Sequence, residues 1–255
     1  MQAPQFPFRT RYWINQQFND NQANYPTGRH GGLDIQPFDS KGNLFPAPVY
    51  PVFAGKTMSV DTSDKDRGKG IRVRTEMWVD LAEYLHKHGL EPGKYIEFLY
   101  WHLLDVTDLD GTITQDTPVG KAGNTGNVWS SQFPEANGTL QPVPNKYKGV
   151  PPYYGLHLHL ECRTVDENGW ILNTNKDVWG RIDPLLILNY PAHMLMGYKT
   201  KDNPTVYVSV GTTLVPVADW NAFINLGGSE QSVVTLEPLE FAKFNLGSST
   251  LFKSA

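Results

Sequence analysis

Several features that would indicate other classes of protein are scarce or missing. The 255-residue chain has one cysteine, Cys162, which excludes an internal disulfide framework and leaves the redox compartment undetermined. Its formal net charge at pH 7 is -4, which gives no support to nucleic-acid binding because that function needs a basic surface to neutralise phosphates. No segment approaches the roughly 18 apolar residues that cross a bilayer. We expect no nucleic-acid partner and no membrane span.

The start of the chain also lacks a targeting signal. MQAPQFPFRTRYW has no apolar core region, so no secretory signal peptide is visible. We expect that the protein acts where it is made, leaves by another route, or has lost a leader. A phage-encoded enzyme released by lysis fits this start.

Three catalytic signatures are absent as well. There is no HExxH for a helix-borne zinc site and no GxSxG for a serine nucleophile. The glycines of GKAGNTGN, residues 120–127, fall as GxxGxxG, and no GxxxxGK(S/T) follows a strand, so a phosphate-binding loop is not supported. A tight β-turn beside a substrate groove is the plainer interpretation.

What the chain does contain predicts a mostly β protein. Apolar residues make up 40% of the sequence, and 23 glycines and 19 prolines are scattered along it. The apolar runs are short, alternating or β-branched, and bounded by turn residues; they are VYPVFAG, IRVRTE, KYIEFLYW, GLHLHLEC and TVYVSV. One exception is MWVDLAEYLHKH, residues 77–88, whose apolar residues recur at helical spacing and which Gly89 follows as a stop signal.

Composition divides the chain into two parts. We predict a first domain over residues 1–192, a linker over 193–204, and a small α+β module over 205–255. Within the first domain, residues 127–154 are rich in Pro, Asn, Gly and Gln and predict a long surface loop. In the module, TVYVSVGTTLVPV predicts a strand hairpin, and a short helix around Trp220 follows it. The glycines of LGG are expected to end that helix.

The stretch GLHLHLEC, residues 155–162, is the most informative. Side chains of a strand alternate between its two faces. The leucines would then face the core, and the opposite face would carry His157, His159 and Glu161. Two imidazoles and a carboxylate in a row are typical of a metal or proton-transfer site.

Two further histidines have suggestive neighbours. GRHGGLDI places His30 four residues before Asp34, and the glycines between them let the backbone bend tightly. YWHLLD places His102 at the end of an apolar run. A catalytic zinc needs about three protein ligands and one open position, which His30, Asp34 and one of the His157/His159 pair could supply. Each feature taken singly also has a plainer interpretation. His102 is then a satisfied core or rim histidine, the His pair lies on a half-exposed strand, and the glycines form a simple turn.

The order HGGLD, YWHL, GKAGNTGN, HLHLE resembles the lysostaphin-type (LytM-like) zinc endopeptidases, which cut the peptides of bacterial peptidoglycan. The resemblance covers roughly residues 12–190. It implies an antiparallel β-sheet groove of the LytM/lysostaphin (duplicated hybrid motif) type with long loops. It also implies Zn²⁺ as cofactor, peptidoglycan peptides of the bacterial cell wall as substrate, and a bacteriolytic, endolysin-like activity.

Carried over residue by residue, the resemblance implies that His30, Asp34 and His159 ligate zinc. His102 and His157 match the two non-ligand histidines of the cleft, which would orient or deprotonate the attacking water and steady the tetrahedral oxyanion. Two insertions depart from the family pattern, at about residues 76–93 and 127–154. Neither insertion disturbs the four histidines and the aspartate named above. The insertions therefore leave the predicted reaction unchanged and bear mainly on the predicted substrate specificity.

Two neighbouring residues receive weaker assignments. Tyr100, at the start of YWHL, is given no catalytic role. Glu161 either bonds to an imidazole behind the metal or is a plain solvated carboxylate.

The sequence therefore predicts a zinc endopeptidase of peptidoglycan. The alternative is a non-catalytic wall-binding or phage structural module on the same fold. Gly-Gly, D-Ala-Gly and D-Ala-diaminopimelate bonds all remain possible targets. Residues 205–255 loosely resemble a module repeated in bacterial exported and wall-associated proteins; they either bind the wall, raising the local enzyme concentration, or cap the catalytic sheet.

Overall fold

The computed structural model describes residues 3–21, 28–107, 111–173, 178–190, 197–210, 213–217, 219–225, 233–236, 238–241 and 245–246. The chain divides into two compact units, Met1–Tyr190 and Pro191–Ala255. Both are built mainly from β-strands, and this confirms the predicted mostly β, antiparallel class. Among the described residues, every helix is too short or too polar to cross a bilayer.

The described residues of the first unit form twelve strands, several of them only two residues long. They are β1 Arg11–Gln16, β2 Leu33–Phe38, β3 Pro48–Val49, β4 Gly55–Asp64, β5 Gly68–Glu76, β6 Tyr95–Leu103, β7 Asp105–Val106, β8 Thr112–Ile113, β9 Gly120–Lys121, β10 Trp129–Ser130, β11 Gln141–Pro142 and β12 Leu158–Val165. Its helices are α1 Val79–Lys87 and α2 Pro184–Leu188, with short 3-10 turns at Pro134–Ala136 and Asn145–Tyr147.

Seven of these strands form one antiparallel sheet in the order β1-β2-β12-β6-β5-β4-β8. The two central strands, β6 and β12, are far apart in sequence but pair over seven consecutive residues. A three-stranded sheet, β3-β9-β7, and the pair β10-β11 complete the unit. The sheet therefore brings the HGGLD, YWHL and HLHLE segments onto three neighbouring strands.

One face of the large sheet is apolar. Its side chains alternate along the strands and are fully or almost fully buried: Ile35, Ile71, Val73, Ile96, Phe98, Tyr100, Leu158 and Leu160. The Phe98 ring meets Phe53 edge-on, with ring centroids 5.9 Å apart. The Tyr100 hydroxyl accepts a hydrogen bond from the Val52 N–H at 2.8 Å, so this tyrosine belongs to the core.

The opposite face is polar although it is largely covered. Registered pairs place His159 beside Trp101, and Glu97 between Arg163 and Arg74. Glu97 is fully buried and accepts charge-assisted bonds from both arginines, at 2.8 Å from Arg74 Nε and 2.7 Å from Arg163 Nε. Such cross-strand ion pairs tie three strands together beneath the cleft.

The predicted helix at residues 77–88 is confirmed as α1. Leu81 and Leu85, one turn apart, are its buried residues. The helix starts two residues later than predicted because the Met77 N–H still bonds to the Lys94 carbonyl across the sheet edge, at 2.9 Å. It ends where predicted: Gly89 has φ +72° and donates to the His86 carbonyl.

Two local predictions were wrong in part. VYPVFAG forms strands only at its ends, in β3 and β4, and residues 50–54 between them are a buried loop. Pro51 lacks the N–H that a strand ladder needs, which accounts for the break. The insertion 127–154, predicted as a surface loop, has β10, β11, two 3-10 turns and a core of its own.

The second unit is an α+β module, as its sequence predicts. Its strands are β13 Gly197–Thr200, β14 Asn203–Val210, β15 Thr213–Pro216, β16 Val233–Leu236 and β17 Asn245–Leu246, in the order β16-β13-β14-β15-β17. Its helices are α3 Trp220–Asn225 and α4 Pro238–Phe241. Both the predicted hairpin, β14-β15, and the predicted helix, α3, are present.

Part of the predicted linker 193–204 belongs to the sheet of this unit. From residue 197 onward the predicted linker 193–204 is strand rather than linker, since β13 and β14 pair across a turn at residues 201–202. Residues 193–196 and the LGG stop signal, 226–228, lie outside the described residues. Phe223 is fully buried with Val208 and Val217, and the helix thus packs on the hairpin.

Candidate metal centre

Asp34 and His159 meet because their strands are in register. Both residues occupy paired positions of β2 and β12, and directly opposed side chains of an antiparallel pair lie on the same face. Asp34 Oδ1 is 2.8 Å from His159 Nδ1. Both side chains are buried.

His30 reaches the same point from the loop before β2. Its Nε2 lies 3.1 Å from Asp34 Oδ1 and 3.1 Å from His159 Nδ1. Gly32 permits this approach: a Cβ there would lie 2.5 Å from the Leu160 carbonyl oxygen and 3.0 Å from ring atoms of His159. The glycine of HGGLD therefore serves close backbone approach to the neighbouring strand.

The remaining ring nitrogens of these two histidines fix their tautomers. His30 Nδ1 is 2.9 Å from the Gln17 carbonyl oxygen, which can only accept, so this nitrogen carries the proton. His159 Nε2 lies 3.4 Å from a carboxylate oxygen of Glu161, which favours a proton there. Both arrangements turn the second ring nitrogen toward Asp34 Oδ1, where His159 Nδ1 would exchange its proton for a metal ion, and the three candidate ligand atoms lie within 4.8 Å of one another.

Glu161 is held behind His159 rather than in solvent. It is 3% exposed, and its other oxygen accepts from Arg181 Nε at 3.1 Å and Nη2 at 3.0 Å. Burial opposes ionisation, but bonds from His159 and the charge of Arg181 lower the pKa of this carboxyl. Of the two interpretations of Glu161, the solvated carboxylate is wrong.

The electrostatics of the cluster favour a cation between Asp34 and His159. Burial alone would raise the pKa of Asp34, yet the surrounding histidines hold it well below the ordinary value. Burial alone would lower the pKa of His159, yet its bonds to Asp34 and Glu161 raise it to about 9. Positive charge is thus stabilised at His159 between two carboxylates, the position that a metal ion would share.

His102 is brought into the cleft by a bulge in β6. Strand alternation places Trp101 on the polar face, so His102 would ordinarily point into the core. Instead the register between β5 and β6 shifts at this point, and His102 adopts φ +62°, the left-handed region that β-strand residues rarely occupy. Its ring consequently lies 5.8 Å from that of His159 and 4.7 Å from that of His157.

His157 and His102 are anchored in the same way. His102 Nδ1 is 2.8 Å from the Thr125 carbonyl oxygen, and His157 Nδ1 is 2.8 Å from the Gly155 carbonyl oxygen. Carbonyl oxygens only accept, so each Nδ1 carries the proton and each Nε2 keeps a lone pair. His157 Nε2 lies 3.6 Å from Asp34 Oδ1.

Desolvation keeps these two imidazoles neutral. Burial lowers the pKa of His102 well below its ordinary value, and neighbouring histidines lower it further. Burial also lowers the pKa of His157, although the charge of Asp34 opposes the shift. Near neutral pH both side chains can therefore accept a proton and then donate it.

Several groups that orient the candidate site have no signal in the sequence. The Gln17, Thr125 and Gly155 carbonyls are backbone atoms, and no pattern of side chains announces them. Arg181, in GRIDPLL, is buried beside Glu161, and the sequence predicted no role for it.

Three histidines take no part in the cluster or cannot be placed. His86 and His88 lie at the end of α1, and His88 Nδ1 is 2.7 Å from the Tyr84 carbonyl oxygen. His193 lies outside the described residues.

The donor set fits zinc. Two imidazole nitrogens and one carboxylate oxygen are among its usual ligands, and three protein ligands leave the fourth tetrahedral position for solvent or substrate. Ligands about 2.0–2.2 Å from a tetrahedral zinc lie about 3.4 Å from one another. The separations in the cluster are 2.8, 3.1 and 3.1 Å, so a small outward movement of the side chains would accommodate the ion.

Comparison with solved structures found similar chains at low identity. A zinc-containing peptidase from Vibrio cholerae is 19% identical with a TM-score of 0.39, and the match covers 71% of this chain but 39% of that peptidase. The catalytic domain of a prophage-encoded M23 protein from Enterococcus faecalis is 16% identical (TM-score 0.39, 67% of this chain and 93% of that one). The catalytic domain of lysostaphin, an antimicrobial peptidase from Staphylococcus simulans, is 17% identical (TM-score 0.40, 69% and 92%).

No protein-family model matches the chain, and no curated protein matches its sequence. Structural similarity at this level supports no assignment of activity. Function therefore has to be inferred from the geometry of the site and from the motifs that build it.

Proposed function

We propose that the protein is a zinc-dependent endopeptidase that hydrolyses peptide bonds in bacterial peptidoglycan. The observation that carries the proposal is the convergence of His30 Nε2, Asp34 Oδ1 and His159 Nδ1 at one buried point. Zinc bound there would act as a Lewis acid and lower the pKa of a coordinated water to about 7.

The ligands are held in a state ready for the metal. His30 and His159 each have one nitrogen engaged by an acceptor, which directs the other nitrogen inward. Glu161, itself fixed by Arg181, strengthens the basicity of His159 through its bond to Nε2. Binding of the ion would therefore cost little conformational entropy, because the ligand side chains are already ordered.

His102 and His157 supply the proton transfers. Their Nε2 atoms keep lone pairs near neutral pH, and their rings stand edge to face 4.7 Å apart beside the ligand cluster. One can take the proton of the attacking water and pass it to the leaving amine. Once protonated, the other can stabilise the negative charge on the carbonyl oxygen of the attacked peptide bond.

The substrate class comes from the motifs. The combination of HGGLD, YWHL, GKAGNTGN and HLHLE resembles that of peptidoglycan endopeptidases, and the pairing of the strands that carry three of these segments supports the proposal. The proposed partner is therefore the bacterial cell wall, and the proposed substrates are its stem or cross-bridge peptides.

Zinc analysis and wall digestion test the proposal. We expect about one zinc per chain in purified protein by mass spectrometry, and loss of turbidity of purified cell walls that chelator abolishes and zinc restores. His159→Ala should lose both the metal and the activity. His102→Ala should keep the metal and lose the activity.

The two variants separate the possible failures. A protein that holds zinc but leaves walls of several bacterial types intact would overturn the enzymatic proposal in favour of a wall-binding module. A His159→Ala variant with full zinc content would overturn the ligand assignment instead.

A further inference from the structure

An open pocket of about 270 Å³ includes Thr125 in its lining, the residue whose carbonyl oxygen holds the His102 ring. Three parts of the chain build it: the β4-β5 hairpin, the turn of GKAGNTGN, and the insertion at residues 127–154. The polar side chains that line it are Thr62, Ser63, Lys69, Thr125, Asn145 and Lys148. The pocket therefore combines a segment of the predicted catalytic motif with a segment that departs from the family pattern.

Thr125 joins the pocket to the active site. Its carbonyl oxygen accepts from His102 Nδ1 at 2.8 Å, while its hydroxyl accepts from the Lys69 backbone N–H at 2.9 Å. The same hydroxyl donates to the Leu103 carbonyl, one residue beyond His102. The pocket is therefore connected to the histidine cluster through one residue, Thr125, which contacts His102 directly.

The lining is rich in hydrogen-bond donors and positive charge. Its described lining residues include two lysines, one asparagine and the hydroxyl residues Thr62 and Ser63, and none of those described is acidic; the Thr125 hydroxyl proton is already donated to the Leu103 carbonyl. Lys69 Nζ donates one bond, to the Leu104 carbonyl at 3.0 Å, and keeps its charge. Such a lining is complementary to an anion.

Lys148 differs from two neighbouring lysines, Lys146 and Lys121, which are ion-paired. Lys146, two residues earlier, pairs with Glu135, and Lys121 pairs with Asp105. Within the part of the chain that the structure describes, the Lys148 ammonium has no carboxylate within 4.0 Å. Its partial burial lowers its pKa, which means that the charge is desolvated without compensation from a partner.

The backbone on both sides of Lys148 is held by hydrogen bonds to Asn124. Asn124 is fully buried and bonds to three backbone groups of the insertion. Its Nδ2 donates to the carbonyls of Tyr147 and Tyr154 at 3.0 and 2.9 Å, and its Oδ1 accepts from the N–H of Gly149 at 2.7 Å. The insertion also packs its own core: Val128, Phe133, Ala136 and Val143, with Tyr147 and Tyr154 against it. It is thus a preorganised wall of the cleft.

We propose that this pocket binds a free carboxylate of the peptide substrate beside the scissile bond, and that Lys148 is a specificity-determining residue. The inference rests on the proposed function and narrows its substrate class. A glycine cross-bridge has no carboxylate along its length, whereas a D-Ala-diaminopimelate cross-link has one on the carbon that bears the scissile amide nitrogen. The pocket therefore favours a carboxylate-bearing stem peptide over a polyglycine bridge.

A matched pair of synthetic peptides tests the inference. Both contain the D-Ala-diaminopimelate bond, and they differ only in whether the neighbouring carboxylate is free or amidated. With the zinc-loaded full chain we expect kcat/KM about tenfold or more higher for the free acid, mainly through KM, since a bond to a charged group is lost in the amide. In Lys148→Gln this preference should fall to about twofold or less, and in the ion-paired control Lys146→Gln it should persist.

Cleavage and binding outcomes distinguish the two proposals. Cleavage of both peptides at equal rates by the unmodified protein, or a preference that survives in Lys148→Gln, overturns the carboxylate pocket and leaves the peptidase intact. If neither peptide is cut, calorimetric titration of the same peptides decides. Tighter binding of the free acid that Lys148→Gln abolishes supports the pocket while the peptidase fails for this bond, and equal binding overturns the pocket.

Discussion

Gly32 offers the sharpest structural test of the ligand cluster, because its neighbour Gly31 is a matched control. A methyl group on Gly32 would lie 2.5 Å from the Leu160 carbonyl oxygen and 3.0 Å from Cε1 and Nε2 of His159, whereas ordinary contacts begin at 3.4 Å. A methyl group on Gly31 meets nothing within 4 Å. Two substitutions one residue apart should therefore behave oppositely.

The expected magnitude follows from these distances. The HGGLD loop or the His159 ring has to move by several tenths of an ångström, beyond the tolerance of about 0.2 Å for metal-ligand distances. We expect Gly32→Ala to weaken zinc binding by about tenfold to a hundredfold, as for loss of a group that orients a ligand. Overpacking at this buried point should also cost about 1–3 kcal/mol of unfolding free energy.

Competition with a chromophoric chelator measures the zinc dissociation constant for both variants. Urea denaturation followed by circular dichroism confirms that Gly32→Ala is folded under the conditions of the metal assay. Wild-type zinc affinity in a folded Gly32→Ala protein would refute the idea that close approach of these strands builds the site. So would an equal loss of affinity in Gly31→Ala.

Three further perturbations address other parts of the structure. Glu161→Gln should raise the zinc dissociation constant about 10–100-fold by chelator competition, and an unchanged constant would show that this carboxylate does not support His159. His102→Ala should lower kcat on cell walls about 100–10,000-fold at full zinc content, and a smaller loss would remove it from proton transfer. Glu97→Ala should lower the unfolding free energy about 1–3 kcal/mol in urea, because the partly exposed guanidinium groups of Arg74 and Arg163 lose the buried carboxylate that they share; an unchanged free energy would mean that the network contributes nothing.

Local periodicity was enough to predict the strands that carry the candidate ligands. In GLHLHLEC, alternation assigned the leucines to the core, and Leu158 and Leu160 are fully buried. The same alternation placed His159 and Glu161 together on the opposite face, where they lie 3.4 Å apart. The tight bend of HGGLD followed from its glycines, and the structure brings His30 and Asp34 to within 3.1 Å.

Features that depend on distant strands could not be predicted from the sequence. His102 points into the cleft because the β5-β6 register shifts opposite it, and its own residue type gives no sign of φ +62°. The carbonyls that fix the imidazole tautomers belong to loops whose paths are set by the whole fold. In residues 50–54, apolar composition indicated a strand. Pro51 prevents a continuous strand there, and Val52 and Phe53 are buried in a loop instead.

The insertion at 127–154 illustrates another limit. Its abundance of Pro, Asn and Gly correctly indicated irregular structure, yet scattered apolar residues within it assemble a separate core. Sequence separation hides this core, since Val128 and Tyr154 lie 26 positions apart. Its attachment to Asn124 likewise becomes visible only when the turn and the insertion are seen side by side.

Anomalous diffraction at the zinc absorption edge, from crystals of the zinc-loaded protein, tests the central claim most directly. One strong peak should lie about 2.0–2.2 Å from His30 Nε2, Asp34 Oδ1 and His159 Nδ1, with no fourth protein ligand. A peak at another set of residues, or none at the cluster in protein that carries stoichiometric zinc, would contradict the account.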